Sequence, residues 1–324
     1  MRTLLTAALA ALAASLMLPS VPAAAAASPS AQSHAPSHHT VQVDGVEVFY
    51  REAGPKNAPV LVLLHGLPSS SHMFRRLMPM LADRYRVIAP DYPGFGASAA
   101  PSPADYDYSF DRLAVTVDRL LEKLQVERYS LYVFDYGAPV GFRLAAAHPE
   151  RIESLIVQNG NAYEEGMGKL WDPLRAYWQD PTAQRAELIA QKLLSLESTK
   201  WHYLEGVRDP AAIAPENWLL DQALLDRPGL REIQLRLLRD YGSNPGRYPA
   251  WQAYFRKYQP PTLIVWGKND PIFLAAGAQA YLRDLPNARL RFYDTGHFAL
   301  EEDLVPIAGE IGEFMDRTVK LRAD

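Results

Sequence analysis

VFDYGAPVG, residues 133–141, closes one element of structure and opens another. The apolar run YSLYVF before and through it, residues 129–134, predicts a buried strand, and residues 137–147 predict a helix. Gly137, Ala138 and Gly141 are small enough to let that helix pack closely on the strand it leaves. At the sharp turn between the two stands a carboxylate, Asp135.

Outward from this stretch, short apolar runs alternate with helical ones. TVQVDGVEVFYREA predicts a hairpin turning at Asp44-Gly45, and residues 59–64 predict a buried strand. A helical stretch over about 74–82 precedes YRVIAPDYPGFGAS, a strand that runs into a loop rich in proline and glycine. A long helix over 110–124 comes before VFDYGAPVG, and a strand over 154–159 comes after it. The alternation predicts an α/β fold, a mostly parallel sheet flanked by helices on both faces. It stops after Asn159. Residues 161–259 are helix-like and rich in Trp, Tyr, Leu and Arg, until PPTLIVWGKNDPIF restarts the sheet at Pro261. ARLRFYDTGHFALEED then supplies a last strand and loop before a C-terminal helix. The chain therefore divides into a core of residues 41–160 and 260–324 and an inserted helical lid of 161–259. Such a lid would cover the C-terminal edge of the sheet, where open α/β folds bind ligands.

The ends and the composition narrow the partners. Residues 1–27 have the pattern of a signal peptide: Met1-Arg2, an apolar run over 4–18, and small residues suited to cleavage near Ala27. That run is too short for a comfortable span, so a secreted or periplasmic protein with no integral membrane association after cleavage is expected. Residues 28–40, SPSAQSHAPSHHT, are polar and aperiodic and are expected to be a disordered spacer carrying His34, His38 and His39. A net charge of -4 with no long basic run gives no reason to expect nucleic acid as a partner. Zero cysteines exclude disulfides, thiol catalysis and thiolate metal sites. With neither a catalytic histidine cluster nor a glycine-rich dinucleotide loop, no metal and no organic cofactor is expected.

Five segments, LLHGLPSSSHMFR, DYPGFGAS, VFDYGAPVG, WGKNDPIF and DTGHFALEE, resemble in order and spacing the active-site segments of α/β-hydrolases. The branch they resemble holds epoxide hydrolases and haloalkane dehalogenases, and the resemblance covers nearly all of the chain beyond the signal peptide. It implies that Asp135 is a nucleophile on a strained strand-to-helix turn. It also implies that His297 is the general base and that Asp270 orients it. Capping of the following helix by Asp135, or a turn formed by Asp270 with Pro271, is the plainer alternative for each. Asn159 and Asn161 stand where some relatives carry the acid, an arrangement that Asp270 makes unnecessary. No G-x-S-x-G occurs, which disfavours a serine hydrolase. A carboxylate attacking an acyl carbon would make an anhydride, whereas attack on an sp3 carbon makes an ordinary ester that an activated water can hydrolyse. The expected substrate is a small apolar molecule with an electrophilic alkyl carbon. By the same resemblance, the backbone N–H groups of Leu67 and Tyr136 form the oxyanion hole, and His65 shapes the loop.

HGLP fits the HGxP pattern of epoxide hydrolases, while Leu67 and Tyr136 replace the Asn and Trp with which dehalogenases typically hold halide. Epoxide opening calls for acids in the lid, which carries Tyr163, Tyr177, Tyr203, Tyr241, Tyr248, Tyr254 and Tyr258. By regional position, Tyr177 and Tyr241 match the family's ring-opening pair. Trp178 is a candidate indole donor to halide and keeps a haloalkane dehalogenase as the alternative to an epoxide hydrolase. An esterase or a non-catalytic small-molecule receptor on the same fold are further alternatives.

Overall fold

Eight strands form one sheet in the computed structural model, which describes residues 35–320. The signal peptide expected over 1–27 and the spacer as far as His34 lie outside the described residues. The strands are β1 (Ser37–Val43), β2 (Val46–Ala53), β3 (Val60–Leu64), β4 (Arg86–Pro90), β5 (Tyr129–Phe134), β6 (Ile152–Gln158), β7 (Thr262–Gly267) and β8 (Arg289–Tyr293). Their spatial order is β1-β2-β4-β3-β5-β6-β7-β8; β1–β2 and β2–β4 are antiparallel, and every other pair is parallel.

The hairpin turns where the sequence predicts, with Asp44 at φ 49° and Gly45 at φ 84°. Two consecutive left-handed residues make the primed type of turn whose twist matches its strands. The sheet begins earlier than the sequence suggests. Ser37–Thr40, assigned to the spacer, pair with Phe49–Glu52, and the rings of His38 and His39 stack on Phe49 and Tyr50. Backbone pairing with an apolar neighbour holds this polar segment, and its own composition carries no sign of that.

Helices α1 (Leu77–Leu81), α2 (Phe110–Lys123) and α3 (Gly137–Ala147) precede the lid. The helix expected over 74–82 is thus split into a 3-10 turn, Ser71–Phe74, and the short α1. The lid contains α4 (Asp172–Gln179), α5 (Ala183–Leu193), α6 (Leu196–Leu204), α7 (Glu216–Leu225), α8 (Leu230–Asp240) and α9 (Tyr248–Tyr258), and no strand among its described residues. Then follow α10 (Ala275–Asp284), α11 (Ala299–Glu302) and α12 (Leu304–Lys320). Alternate strand residues feed two cores. Val62, Leu64, Leu131, Val133 and Ile264 pack with α2, α3 and the lid, while Leu61, Leu63, Tyr132 and Leu263 pack with α1 and α12. A sheet covered on both faces reads as continuous apolar runs, as these strands do.

Candidate active site

The site forms where β3, β5 and β7 end. Asp135 follows β5 with φ 48°, a left-handed conformation that a residue with a side chain adopts only at a cost. Two glycines make room for it. A Cβ on Gly137 would lie 2.2 Å from the Leu64 carbonyl oxygen, and one on Gly66 would lie 2.2 Å from Asp135 Oδ1.

The backbone N–H of Leu67 donates to Asp135 Oδ1 at 2.7 Å, and that of Tyr136 also donates to the carboxylate. Asp135 Oδ2 faces His297 Nε2 at 3.8 Å. On the other side of the ring, His297 Nδ1 is 2.7 Å from Asp270 Oδ2, so the histidine lies between the two carboxylates. Asp270 is itself held in place. Its Oδ1 accepts the Ile272 N–H at 2.7 Å, and its Oδ2 accepts Asn159 Nδ2 at 2.7 Å. Asn159 Oδ1 in turn accepts the Gly267 N–H at 3.0 Å. Asn159, at a position where some relatives carry the acid, is therefore the clamp on Asp270. A signal for it is present in QNGN: Asn159 has φ 42°, a conformation asparagine tolerates better than most side chains.

Burial pushes the Asp135 carboxyl up to about 6, an effect that His297 and the two backbone donors only partly offset. Burial works against a charged His297 ring, but the neighbouring Asp270, with Asp135 behind it, outweighs that and raises its pKa. His65 is fully buried, packed on Tyr92 and Phe95 with its Nε2 accepting the Tyr92 N–H, which is a structural role in the loop.

A cavity of about 450 Å³ opens above Asp135, walled by Leu67, Trp171, Leu174, Leu238, Tyr241 and Ile272, with exposed Gln191, Lys192 and Glu197 along its lining. Tyr241 is on this wall, 5.7 Å from the Tyr136 ring, and its buried hydroxyl has no hydrogen bond of normal geometry; the Tyr248 hydroxyl is its polar neighbour. Burial, together with that neighbour and Asp135, raises its pKa and keeps it in the protonated, donating form. Tyr177 and Trp178 are not brought to the cavity. Tyr177 is buried within the lid, and Trp178 spends its Nε1–H on the Leu238 carbonyl at 2.8 Å. Trp171, which does line the cavity, donates its own to the Ile272 carbonyl at 2.7 Å. His202, on α6, also lines the cavity, and nothing in the sequence pointed to it.

Residues 59–304 match the model of the alpha/beta hydrolase fold family, and the chain belongs to that family. It is a hydrolase of this fold. An uncharacterized hydrolase of Saccharomyces cerevisiae is 46% identical over 279 residues, covering 84% of this chain and 95% of the yeast protein. A cis-3-alkyl-4-alkyloxetan-2-one decarboxylase of Xanthomonas campestris is 28% identical over 303 residues, covering 84% of this chain and 93% of that enzyme. Among solved structures, that of Cfl2 from Burkholderia cenocepacia matches with a TM-score of 0.72 at 27% identity, covering 86% of this chain and 95% of Cfl2. A haloalkane dehalogenase and an epoxide hydrolase are among its other relatives.

Proposed function

We propose that the chain hydrolyses a small apolar epoxide through an ester on Asp135. The observation that carries this is the division of labour between the two carboxylate oxygens. Oδ1 is held by the Leu67 N–H at 2.7 Å, and Oδ2 is turned toward the histidine. Oδ2 attacks a ring carbon, the C–O bond of the epoxide breaks, and the Tyr241 hydroxyl protonates the departing oxygen. Oδ1 is then the carbonyl oxygen of the ester, already seated on the donors it needs when water attacks. Esterification also removes the negative charge that helps raise the His297 pKa, so alkylation itself favours the neutral, basic ring. Water attacks the ester carbon while His297 takes one of its protons; collapse of the intermediate frees the alkoxide, which recovers that proton to give the diol, and water's second proton, left on the Asp135 carboxyl, returns to the Tyr241 phenolate.

An oxygen leaving group suits this cavity better than a halide. The indoles of Trp171 and Trp178 are bonded to carbonyls, whereas the phenol of Tyr241 has no such bond. A strained ring with a carbon–oxygen bond is also what the oxetanone decarboxylase named among the relatives acts on. Initial rates with styrene oxide, 1-bromobutane and p-nitrophenyl butyrate test the reading. Turnover of the epoxide well above the other two is expected; preference for the bromide would make the chain a haloalkane dehalogenase, and preference for the ester would remove the alkyl-ester mechanism.

A further inference from the structure

His202 sits in the cavity, and no step above uses it. Its ring centroid is 6.3 Å from that of His297, at an interplanar angle of 65°. Its Nδ1 lies 2.7 Å from the carbonyl oxygen of Ser198, one turn back along α6. A carbonyl only accepts, so Nδ1 carries the ring proton and Nε2 of the neutral ring holds a lone pair. The ring is held neutral: burial pushes its pKa down to about 4, with His297 adding to the effect, against the pull of the Ser198 bond.

Opening a ring requires donors, and an imidazole lone pair is not one. Water attacking the ester has the opposite need. It brings two O–H groups into a cavity whose walls are largely apolar, and His297 accepts only one of them. The second O–H would be left without an acceptor, at the cost of an unmade hydrogen bond. Ring centroids 6.3 Å apart are a spacing that one water can bridge by hydrogen bonds to both imidazoles. With both hydrogens held, the lone pairs of the water are free to meet the ester carbon.

We propose that His202 is a second water-binding group of the hydrolytic step, its Nε2 accepting one hydrogen of the attacking water while His297 Nε2 removes the other. The bond that forms joins the water oxygen to the carboxyl carbon of Asp135. The proton moves to His297, and the negative charge goes to Oδ1 on the Leu67 and Tyr136 N–H groups. The bond between the carboxyl carbon and Oδ2 then breaks, the leaving alkoxide recovers the proton from His297, and the second water proton passes from the regenerated carboxyl to the Tyr241 phenolate. His202 stays neutral throughout and keeps its Ser198 bond.

This rests on the ester mechanism proposed above, and the experiment separates the two. His202→Phe, His202→Gln and wild type are mixed with styrene oxide in single turnover, and the protein adduct is followed by intact mass, with His297→Gln alongside. In His202→Phe, adduct formation is expected at the wild-type rate and its decay slower on the order of tenfold. His202→Gln, whose amide oxygen also accepts, is expected to restore most of the decay rate. Should the phenylalanine variant fold poorly, His202→Leu carries the same expectation. Equal slowing of formation and decay, or unchanged decay, would overturn the role of His202 while an adduct in His297→Gln keeps the ester. No adduct in any variant would overturn both.

Discussion

The floor of the cavity and its lid are held by different means. On the floor, Asp135, Leu67, Asp270 and His297 sit within a residue or a few of strand ends, and backbone N–H groups fix the two carboxylates. In the lid, direction comes from side chains packing across long stretches of chain: the partner of Trp178 is the carbonyl of Leu238, and Tyr241 packs against Trp171 and stacks on Trp178. A group fixed by a strained turn is fixed by its own few neighbours. A group fixed by helix packing depends on residues it is far from in sequence.

The largest expected effect lies on the floor. Asp135→Ala should lower turnover of styrene oxide on the order of 10⁴-fold while the melting temperature changes by only a few degrees. The Ala variant loses a carboxyl whose burial is costly and keeps the Cβ on the left-handed turn, so the two effects oppose each other, and a collapse of stability would mean that Asp135 is there for the fold. Next comes the lid. Tyr241→Phe should slow adduct formation on the order of 10²-fold. Tyr177→Phe and Trp178→Phe should leave it near the wild-type rate, and the reverse ranking in stopped-flow traces would return the ring-opening role to α4.

These contrasts mirror what could be read from the chain. VFDYGAPVG specifies its strand, turn and helix from nine residues, because small neighbours, a positive φ and a close strand–helix contact are all local. The strand boundaries at Tyr129 and Phe134 and the start of α3 at Gly137 fall where the residues place them. The lid was legible as a helical insertion and no further. Which of its seven tyrosines meets the cavity is decided by tertiary packing that leaves no trace in spacing, so Tyr241 lines the cavity and Tyr177 does not, although both had equal local support. His202 was invisible for the same reason, and β1 because pairing rather than composition holds Ser37–Thr40.

A pH profile sharpens the account of the floor. In the proposed mechanism only ionised Asp135 attacks, and burial pushes its pKa up to about 6, so kcat/KM should be flat above that value. Below it, the rate should fall about tenfold per pH unit as the carboxyl protonates. A profile flat to pH 4.5 would contradict the buried carboxylate as nucleophile.

The smallest effect expected is on stability and belongs to the lid. Asp221 of α7 accepts the hydroxyl of Tyr203 on α6 at 2.6 Å, and burial raises its carboxyl to about 7. The folded protein thus holds a proton that the unfolded chain releases near pH 4. This stabilisation is complete below the unfolded value and is lost as the pH rises to about 7. Asp221→Asn, which can still accept from Tyr203, should therefore gain melting temperature relative to wild type between pH 4 and 7, and keep that gain at higher pH. A constant difference across this range would show that Asp221 does not titrate on folding.

The central claim is that the oxygen first delivered to substrate belongs to Asp135 and not to water. A single turnover of excess enzyme with styrene oxide in 18O-labelled water tests it by mass spectrometry of diol and protein together. The account predicts unlabelled diol and one 18O atom in the peptide that contains VFDYGAPVG. Labelled diol with unlabelled protein would mean that water attacks the epoxide directly, and Asp135 would then be its base.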